Sequence, residues 1–280
     1  MYLEDCLLGL YEKALPFSMN LEEKLGTVKK MGFDFMEFSV DADHIDRLDW
    51  TEKEISEVRE TSLRHGIPLH TFALSANRGY PLGCKDDKVR EEGKTILKKA
   101  IRLAQKLGVR IIQVATYDVV DDISDDETDR LFLDSMRECV RIASLAGVML
   151  ALETMDTPYA GSVARCKRIV DIIGSPWLQI YADTGNINAA ELDFTDDIQT
   201  GSSNIVAMHL KDSVKGVCRD IEFETGIVDF DTDLKGLRKI NYSGFFVAEM
   251  WWKDDLNYLE TIQKAHDFLR EKIKKSNSDI

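Results

Sequence analysis

Short apolar segments alternate along the chain with longer stretches in which apolar residues recur every three or four positions. The longer stretches predict amphipathic helices, and one of them places Leu97, Ala100, Ala104 and Leu107 on a single face. The short segments are apolar on both faces, as in IIQV at residues 111–114. Strands that are buried on both faces and separated by helices predict a parallel sheet covered by helices.

Five of the predicted strands begin at or just after a glycine that follows a helical stretch. These glycines are Gly32, Gly66, Gly108, Gly147 and Gly174. Glycine is the preferred residue just after a helix, because it adopts a positive φ without a steric penalty and redirects the chain. The glycines therefore mark the points where one helix ends and the next strand begins.

Eight strand-helix units can be counted. The predicted strands lie near residues 6–10, 33–38, 69–74, 110–115, 148–153, 178–182, 205–209 and 245–249. The predicted helices lie near residues 20–31, 52–65, 86–107, 126–146, 162–173, 192–200, 231–240 and 256–274. We expect a single (β/α)₈ TIM barrel over residues 1–280, with a disordered tail from about residue 275. The alternative is a doubly wound open sheet, which would usually need a glycine-rich turn after the first strand, and YEKALP at 11–16 is not one.

Composition limits the partners of this barrel. The 280 residues are 44% hydrophobic and 31% charged, with a formal net charge of −14. Such a surface disfavours binding to nucleic acid or to an anionic membrane, although a small anionic substrate can still be held in a locally basic pocket. The start carries no signal-type segment and no apolar run is long enough to span a bilayer. We therefore expect a cytoplasmic protein, which we also expect to be a homodimer.

Candidate chemistry lies at the ends of four consecutive predicted strands, which finish in Glu153, Asp183, His209 and Glu249. In a barrel of this type the active site is at the C-terminal ends of the strands, so these side chains should meet. Three carboxylates without a cation would repel one another at a cost of several kcal/mol. Carboxylates with one imidazole suit a divalent cation such as Mn²⁺, Co²⁺ or Zn²⁺.

Any one of these residues alone has a simpler explanation. A single carboxylate at a strand end is most often a helix cap or an ion-pair partner, and a single histidine is usually a core residue, as we expect for His70. Four such side chains at corresponding heights favour a metal site instead. Glu37, near the end of the second strand, is a fifth candidate.

The sequence resembles the L-xylulose/L-ribulose 5-phosphate 3-epimerases of bacterial L-ascorbate degradation, within the xylose-isomerase-like barrels. The segments that carry the resemblance run through nearly the whole chain: YEKALP at 11–16, GFDFMEFSVD at 32–41, RLDW at 47–50, SA at 75–76 with Arg78, PLG at 81–83, DTGN at 183–186, HLKD at 209–212 and EMW at 249–251. Two positions depart from the pattern, because Asn77 stands where a histidine is expected and ETG at 224–226 replaces a more glycine-rich turn.

The resemblance implies a reaction. Glu153, Asp183, His209 and Glu249 would hold one divalent metal ion, which could be Mn, Zn, Co or Mg, and the two glutamates would also be the catalytic acid/base pair. A small phosphorylated ketopentose would lose the C3 proton to one glutamate, form a cis-enediolate, and regain a proton from the other on the opposite face. Asn186 would contact the sugar, where free-ketohexose epimerases have a histidine.

The phosphate of such a substrate needs cationic donors at the mouth of the barrel. Four lysines and arginines follow the first, third and seventh predicted strands, namely Lys13, Arg78, Lys211 and Lys215. Each of them could equally be a solvated loop charge. Lys211 is the strongest candidate, because it lies two residues beyond His209 and so points to the same side of the strand.

Three other functions stay open on the sequence alone. An aldose–ketose isomerase of the hexulose 6-phosphate type could use the same barrel, although it would usually need two metals and a lysine or histidine near the carbonyl. A related nuclease would need a histidine-rich cluster and a basic groove, and this chain has 5 histidines. A sugar-phosphate sensor without catalysis would have no need for two glutamates that flank one carbon.

Overall fold

Eight parallel strands form a closed barrel in a computed structural model that describes residues 2–253 and 257–276. The strands are β1 Leu8–Tyr11, β2 Phe35–Val40, β3 Thr71–Leu74, β4 Ile111–Val114, β5 Met149–Glu153, β6 Leu178–Asp183, β7 Ile205–Leu210 and β8 Phe245–Ala248. Each strand pairs with its neighbour in sequence, and β1 closes the barrel by pairing with β8. The predicted (β/α)₈ TIM barrel is confirmed.

Helices cover the outside of the barrel. They are α1 Leu21–Lys30, α2 Glu52–His65, α3 Asp87–Leu107, α4 Asp126–Ala146, α5 Val163–Ile173, α6 Thr184–Ala189, α7 Phe194–Thr200, α8 Phe230–Lys239 and α9 Tyr258–Lys275. The short helix α6 was not predicted, because its six residues are too few to display a helical period. Within the described part of the chain, no helix combines the length and apolarity needed to cross a membrane. Residues 277–280, in the tail predicted to be disordered, lie outside the described ranges.

The five predicted glycine turns are present. All five glycines have a positive φ, between 64° and 87°. Gly66, Gly108, Gly147 and Gly174 directly follow α2, α3, α4 and α5. Strands β1 and β2 begin two residues later than predicted, since Asp34 still belongs to the turn and its carboxylate accepts a hydrogen bond from the Leu8 backbone.

The interior of the barrel is filled by one inward-facing residue from each strand. These residues are Tyr11, Phe35, Ala73, Ile111, Ala151, Tyr181, Ala207 and Val247. Gly9 on β1 makes room for the Phe35 ring, because a Cβ there would overlap the ring atoms. A larger apolar cluster fills the layer between the strands and the helices. The barrel therefore has a filled and mostly apolar interior, with few polar side chains within it.

Candidate metal and substrate site

The last residues of β5 and β6, the penultimate residue of β7 and the residue after β8 bring four ionisable side chains together. The strand register pairs Asp183 with His209, and it pairs Glu153 with Tyr181. One ligand atom from each of Glu153, Asp183, His209 and Glu249 lies within 4.8 Å of the others, and all four residues are buried. The predicted convergence of these four side chains is thus present.

Asp183 is held by the local structure on both sides. Its Oδ1 accepts a hydrogen bond of 2.8 Å from the Asn186 backbone and so caps α6, while its own backbone N–H donates to the Thr154 hydroxyl at 2.9 Å. These contacts leave Oδ2 directed at the cluster. The carboxylate therefore serves both as the N-cap of a short helix and as a member of the site.

His209 presents one nitrogen to the cluster and the other to a different residue. Its Nδ1 lies 3.0 Å from Glu153 Oε1, 3.7 Å from Asp183 Oδ2 and 3.6 Å from Glu249 Oε2. Its Nε2 lies 2.7 Å from Oε2 of Glu37. Glu37, a fifth ligand candidate from the sequence, therefore contacts the far side of the imidazole and is not part of the four-residue cluster.

Lys211 lies deeper in the site than a phosphate-binding lysine at the mouth would. Its Nζ is 2.8 Å from Asp183 Oδ2, 2.7 Å from Glu249 Oε2 and 3.1 Å from Asn186 Oδ1. Burial disfavours the charged ammonium, but Asp183 and Glu249 outweigh it and raise the pKa of Lys211 well above its usual range. Gly185 allows this approach, since a Cβ there would lie 2.8 Å from Lys211 Cε.

The electrostatics of the two carboxylates beside Lys211 differ. Burial would raise the pKa of Asp183, but Lys211 and His209 overcome that effect and lower the pKa to about 2. For Glu249 burial dominates, despite the nearby Lys211 and His209, and raises the pKa to about 7. The same positive groups therefore stabilise the charge on Asp183 more effectively than the charge on Glu249.

The chemistry of this donor set fits a divalent cation. Three carboxylates and one imidazole nitrogen converge in a buried volume, and such mixed oxygen and nitrogen donors suit Mn²⁺, Co²⁺ or Zn²⁺. Asp183 Oδ2 and Glu249 Oε2 are buried and lie 2.8 and 2.7 Å from the Lys211 ammonium. Buried carboxylate oxygens of this kind are strong candidates for coordination.

A cavity of about 250 Å³ opens above the cluster. Four of the predicted substrate residues line it, namely Lys13, Arg78, Asn186 and Lys211. Lys215 is absent from the lining, and its side chain is 75% exposed and pairs with Glu191. The predicted phosphate contact of Lys215 therefore stays a prediction that none of its contacts supports.

The two cations nearest the mouth are held in different ways. Lys13 forms an ion pair with Asp41, a residue that also bonds the His44 ring. Arg78 donates from Nη2 to the Tyr117 hydroxyl at 2.9 Å, and it has no carboxylate within ion-pair distance among the described residues. Arg78 is therefore the candidate with more of its charge available to an anion.

Two residues that line the cavity, Arg219 and Gln113, were missed at the sequence level. Arg219 lines the cavity and places its guanidinium 4.8 Å from the Trp251 ring centre. Gln113 on β4 donates from Nε2 to Glu153 Oε2, while its Oε1 accepts from the Leu74 backbone at 3.1 Å. A polar residue inside an otherwise apolar strand was the available signal for Gln113. Arg219 lies in an irregular loop and gave none.

Comparison with known proteins agrees with this architecture. The profile of the family described as xylose isomerase-like TIM barrel matches residues 25–272. A protein named L-ribulose-5-phosphate 3-epimerase UlaE, from Escherichia coli strain SMS-3-5, is 38% identical over 271 residues, covering 96% of this chain and 95% of the relative. The chain belongs to the xylose isomerase-like TIM barrel family. The family predicted from the sequence is confirmed, and so is the enzyme class, since epimerases are isomerases.

A second relative and two solved structures extend the comparison. The protein of the same name from Escherichia fergusonii is also 38% identical over 96% of this chain and 95% of its own length. D-psicose 3-epimerase from Clostridium cellulolyticum H10 superposes with a TM-score of 0.83 at 20% identity, covering 95% of this chain and 99% of that one. The IOLI protein, whose structure holds a zinc atom, has the same score and identity, with 97% and 99% covered. At this level of identity the two structures support the fold alone.

Proposed function

We propose that this chain is a metal-dependent 3-epimerase that interconverts L-ribulose 5-phosphate and L-xylulose 5-phosphate. The observation that carries the proposal is the cluster of Glu153, Asp183, His209 and Glu249 at the floor of a cavity. The substrate class comes from the relatives, which are named for L-ribulose 5-phosphate and which the chain matches over nearly its whole length. Three further points stay predictions: that the enzyme is a homodimer, that it is cytoplasmic, and that it acts in L-ascorbate degradation.

Glu153 and Glu249 are the proposed proton-transfer pair. They come from β5 and from the end of β8, and both carboxylates border the cavity. One carboxylate removes the C3 proton from one face of the ketose, and the other returns a proton to the opposite face, which inverts the carbon. A single base would tend to return the proton to its original face. Two carboxylates on separate strands supply what inversion requires.

The other residues of the site would bind the metal ion, orient Glu153 and supply positive charge. Asp183 and His209, with the two glutamates, would bind the divalent cation, for which Mn, Zn, Co and Mg are the candidates. A cation held there would act as a Lewis acid on the negative charge that develops at O2 of the substrate. Gln113 fixes Oε2 of Glu153, so that Oε1 faces His209 and the rest of the cluster. Lys211 keeps positive charge beside Asp183 and Glu249.

The phosphate is the proposed ligand of the basic residues at the mouth. Arg78 and Lys13 line the cavity on the β3 and β1 sides, and Arg219 lines it from the loop after β7. A guanidinium can bind phosphate through two parallel hydrogen bonds, which a neutral sugar cannot use in the same way. Arg78 is therefore the first residue to test for preference of phosphorylated over free pentuloses.

The reaction is tested by running L-ribulose 5-phosphate in D₂O with metal-loaded protein. Epimerisation should place solvent deuterium at C3 of L-xylulose 5-phosphate, detected by NMR or mass spectrometry. Deuterium at C2 of an aldose 5-phosphate product, with exchange at C1 of the recovered ketose, would instead indicate an aldose–ketose isomerase. Product that carries no deuterium would contradict proton transfer through these glutamates.

Single Glu153→Gln and Glu249→Gln variants separate the two bases. Each variant should lose epimerisation, and each should still exchange the C3 proton of the epimer whose base it retains. Metal content must be measured for both variants, because each glutamate is also a proposed ligand. Full epimerisation by either variant at normal metal content would contradict the two-base assignment.

A further inference from the structure

A carboxylate lies deep inside the barrel, below the four-residue cluster. Glu37 on β2 is fully buried, with neighbours on its strand such as Met36 and Phe38 that are apolar and equally buried. Burying an isolated carboxylate costs several kcal/mol, so it persists only where its oxygens are paired. Neither metal coordination nor proton transfer, as proposed above, uses this residue.

Both oxygens of Glu37 have a partner from another strand. Oε1 accepts a hydrogen bond of 2.6 Å from the Tyr181 hydroxyl on β6. Oε2 lies 2.7 Å from Nε2 of His209 on β7. No lysine or arginine is within ion-pair distance of Glu37 in the part of the chain that the structure describes. The carboxylate is therefore satisfied by one phenol and one imidazole.

This arrangement determines which nitrogen of His209 can coordinate. Nε2 faces Glu37 Oε2 at 2.7 Å, and a carboxylate that accepts this hydrogen bond holds the proton on Nε2. The Nδ1 atom then keeps its lone pair for the side where Glu153, Asp183 and Glu249 converge. The Tyr181 ring also packs against the imidazole, with centroids 4.6 Å apart, and limits its rotation.

We propose that Glu37 and Tyr181 form a positioning relay that fixes the tautomer and orientation of His209, and thereby the metal affinity of the site. The inference rests on the proposed metal site. Glu37 is a positioning residue, since it touches neither substrate nor the four-residue cluster except through His209. Outer carboxylates that bond a ligating histidine typically account for about 10- to 100-fold in metal affinity.

The test measures Zn²⁺ and Mn²⁺ affinity by chelator competition on metal-free protein. Glu37→Gln keeps the size of the side chain and removes its charge, and it should weaken binding by about 10- to 100-fold. Tyr181→Phe removes only the hydroxyl that orients Glu37, and it should weaken binding by about 5-fold. The matched control is Glu22→Gln, because Glu22 contacts Nε2 of His65 at 2.5 Å on the surface. Its metal affinity should equal that of the wild type.

A second readout separates positioning from loss of structure. In the Zn²⁺-loaded wild type, long-range ¹H–¹⁵N NMR should show His209 protonated at Nε2, with its proton shifted downfield by the bond to Glu37. In Glu37→Gln that proton should move upfield, while thermal unfolding stays cooperative. Wild-type metal affinity in Glu37→Gln would overturn the relay alone. Failure of the wild type to bind either metal would overturn the metal site and the relay with it.

Discussion

Replacing Asp233 with asparagine should stabilise the protein, and it should do so more at pH 8 than at pH 5. Asp233 lies in the first turn of α8 and is only 4% exposed. Its Oδ2 accepts a hydrogen bond of 3.0 Å from Nδ2 of Asn188, and no cation pairs with it among the described residues. Burial raises the pKa of this carboxyl from 3.8 to about 7, and the charges of Asp229 and Asp193 add to the effect.

The raised pKa of Asp233 determines whether stability rises or falls with pH. Between pH 4 and pH 7 the folded chain binds this proton more tightly than the unfolded chain, so stability falls as pH rises through that range. A shift of about 3 units corresponds to about 4 kcal/mol. The positive end of α8 offsets up to about 2 kcal/mol of this cost. Asp233 should therefore destabilise the fold by about 2 to 4 kcal/mol at pH 8.

Urea unfolding at pH 5 and pH 8 measures the difference. Asp233→Asn keeps an acceptor for Asn188, and its stabilisation should grow by about 1 to 3 kcal/mol between the two pH values. Asp196→Asn is the control, because Asp196 is an exposed aspartate in the first turn of α7, and it should change stability by less than about 0.5 kcal/mol. Equal stabilisation by Asp233→Asn at both pH values would refute the argument, since a gain from packing alone has no pH dependence.

Three further substitutions test the site and its supports. Gln113→Leu should lower kcat/KM by about 10- to 100-fold in steady-state assays, because Glu153 loses a donor that orients it. Arg47→Met should lower the free energy of unfolding by about 2 to 3 kcal/mol in urea, because buried Glu12 loses its two-pronged partner, at 2.7 and 2.8 Å, and keeps Lys24. Arg78→Gln should raise KM for the phosphorylated substrate at least about 10-fold, with little change in kcat or in metal affinity.

Each of these substitutions has a matched control elsewhere on the chain. Gln179→Leu changes a glutamine at the opposite end of the barrel, Arg137→Met removes an exposed ion pair with Asp134, and Lys239→Gln removes an exposed charge at the end of α8. All three controls should match the wild type within experimental error. A control with the same effect as its partner would show that the effect is not specific to the site.

Local patterns were enough to predict the barrel and its four-residue cluster. The helical period, the both-face apolar strands and the glycine turns are properties of short segments, and counting them gave eight units. Convergence of Glu153, Asp183, His209 and Glu249 then followed, because a closed parallel barrel brings the C-terminal end of every strand to one rim. These inferences needed only the position of each residue within its own strand.

Which side chains contact one another inside the barrel was decided by the tertiary structure. Glu37 and His209 are 172 positions apart, and the sequence alone left Glu37 as a possible fifth ligand. Closing the barrel placed it on the opposite side of the imidazole, where it bonds the nitrogen that faces away from the cluster. Lys211 was expected at the mouth, and its four-carbon stem instead turns inward beside Gly185 towards Asp183. Strand periodicity specifies which face a side chain is on, whereas its partners depend on how closely other strands approach, which only the folded chain specifies.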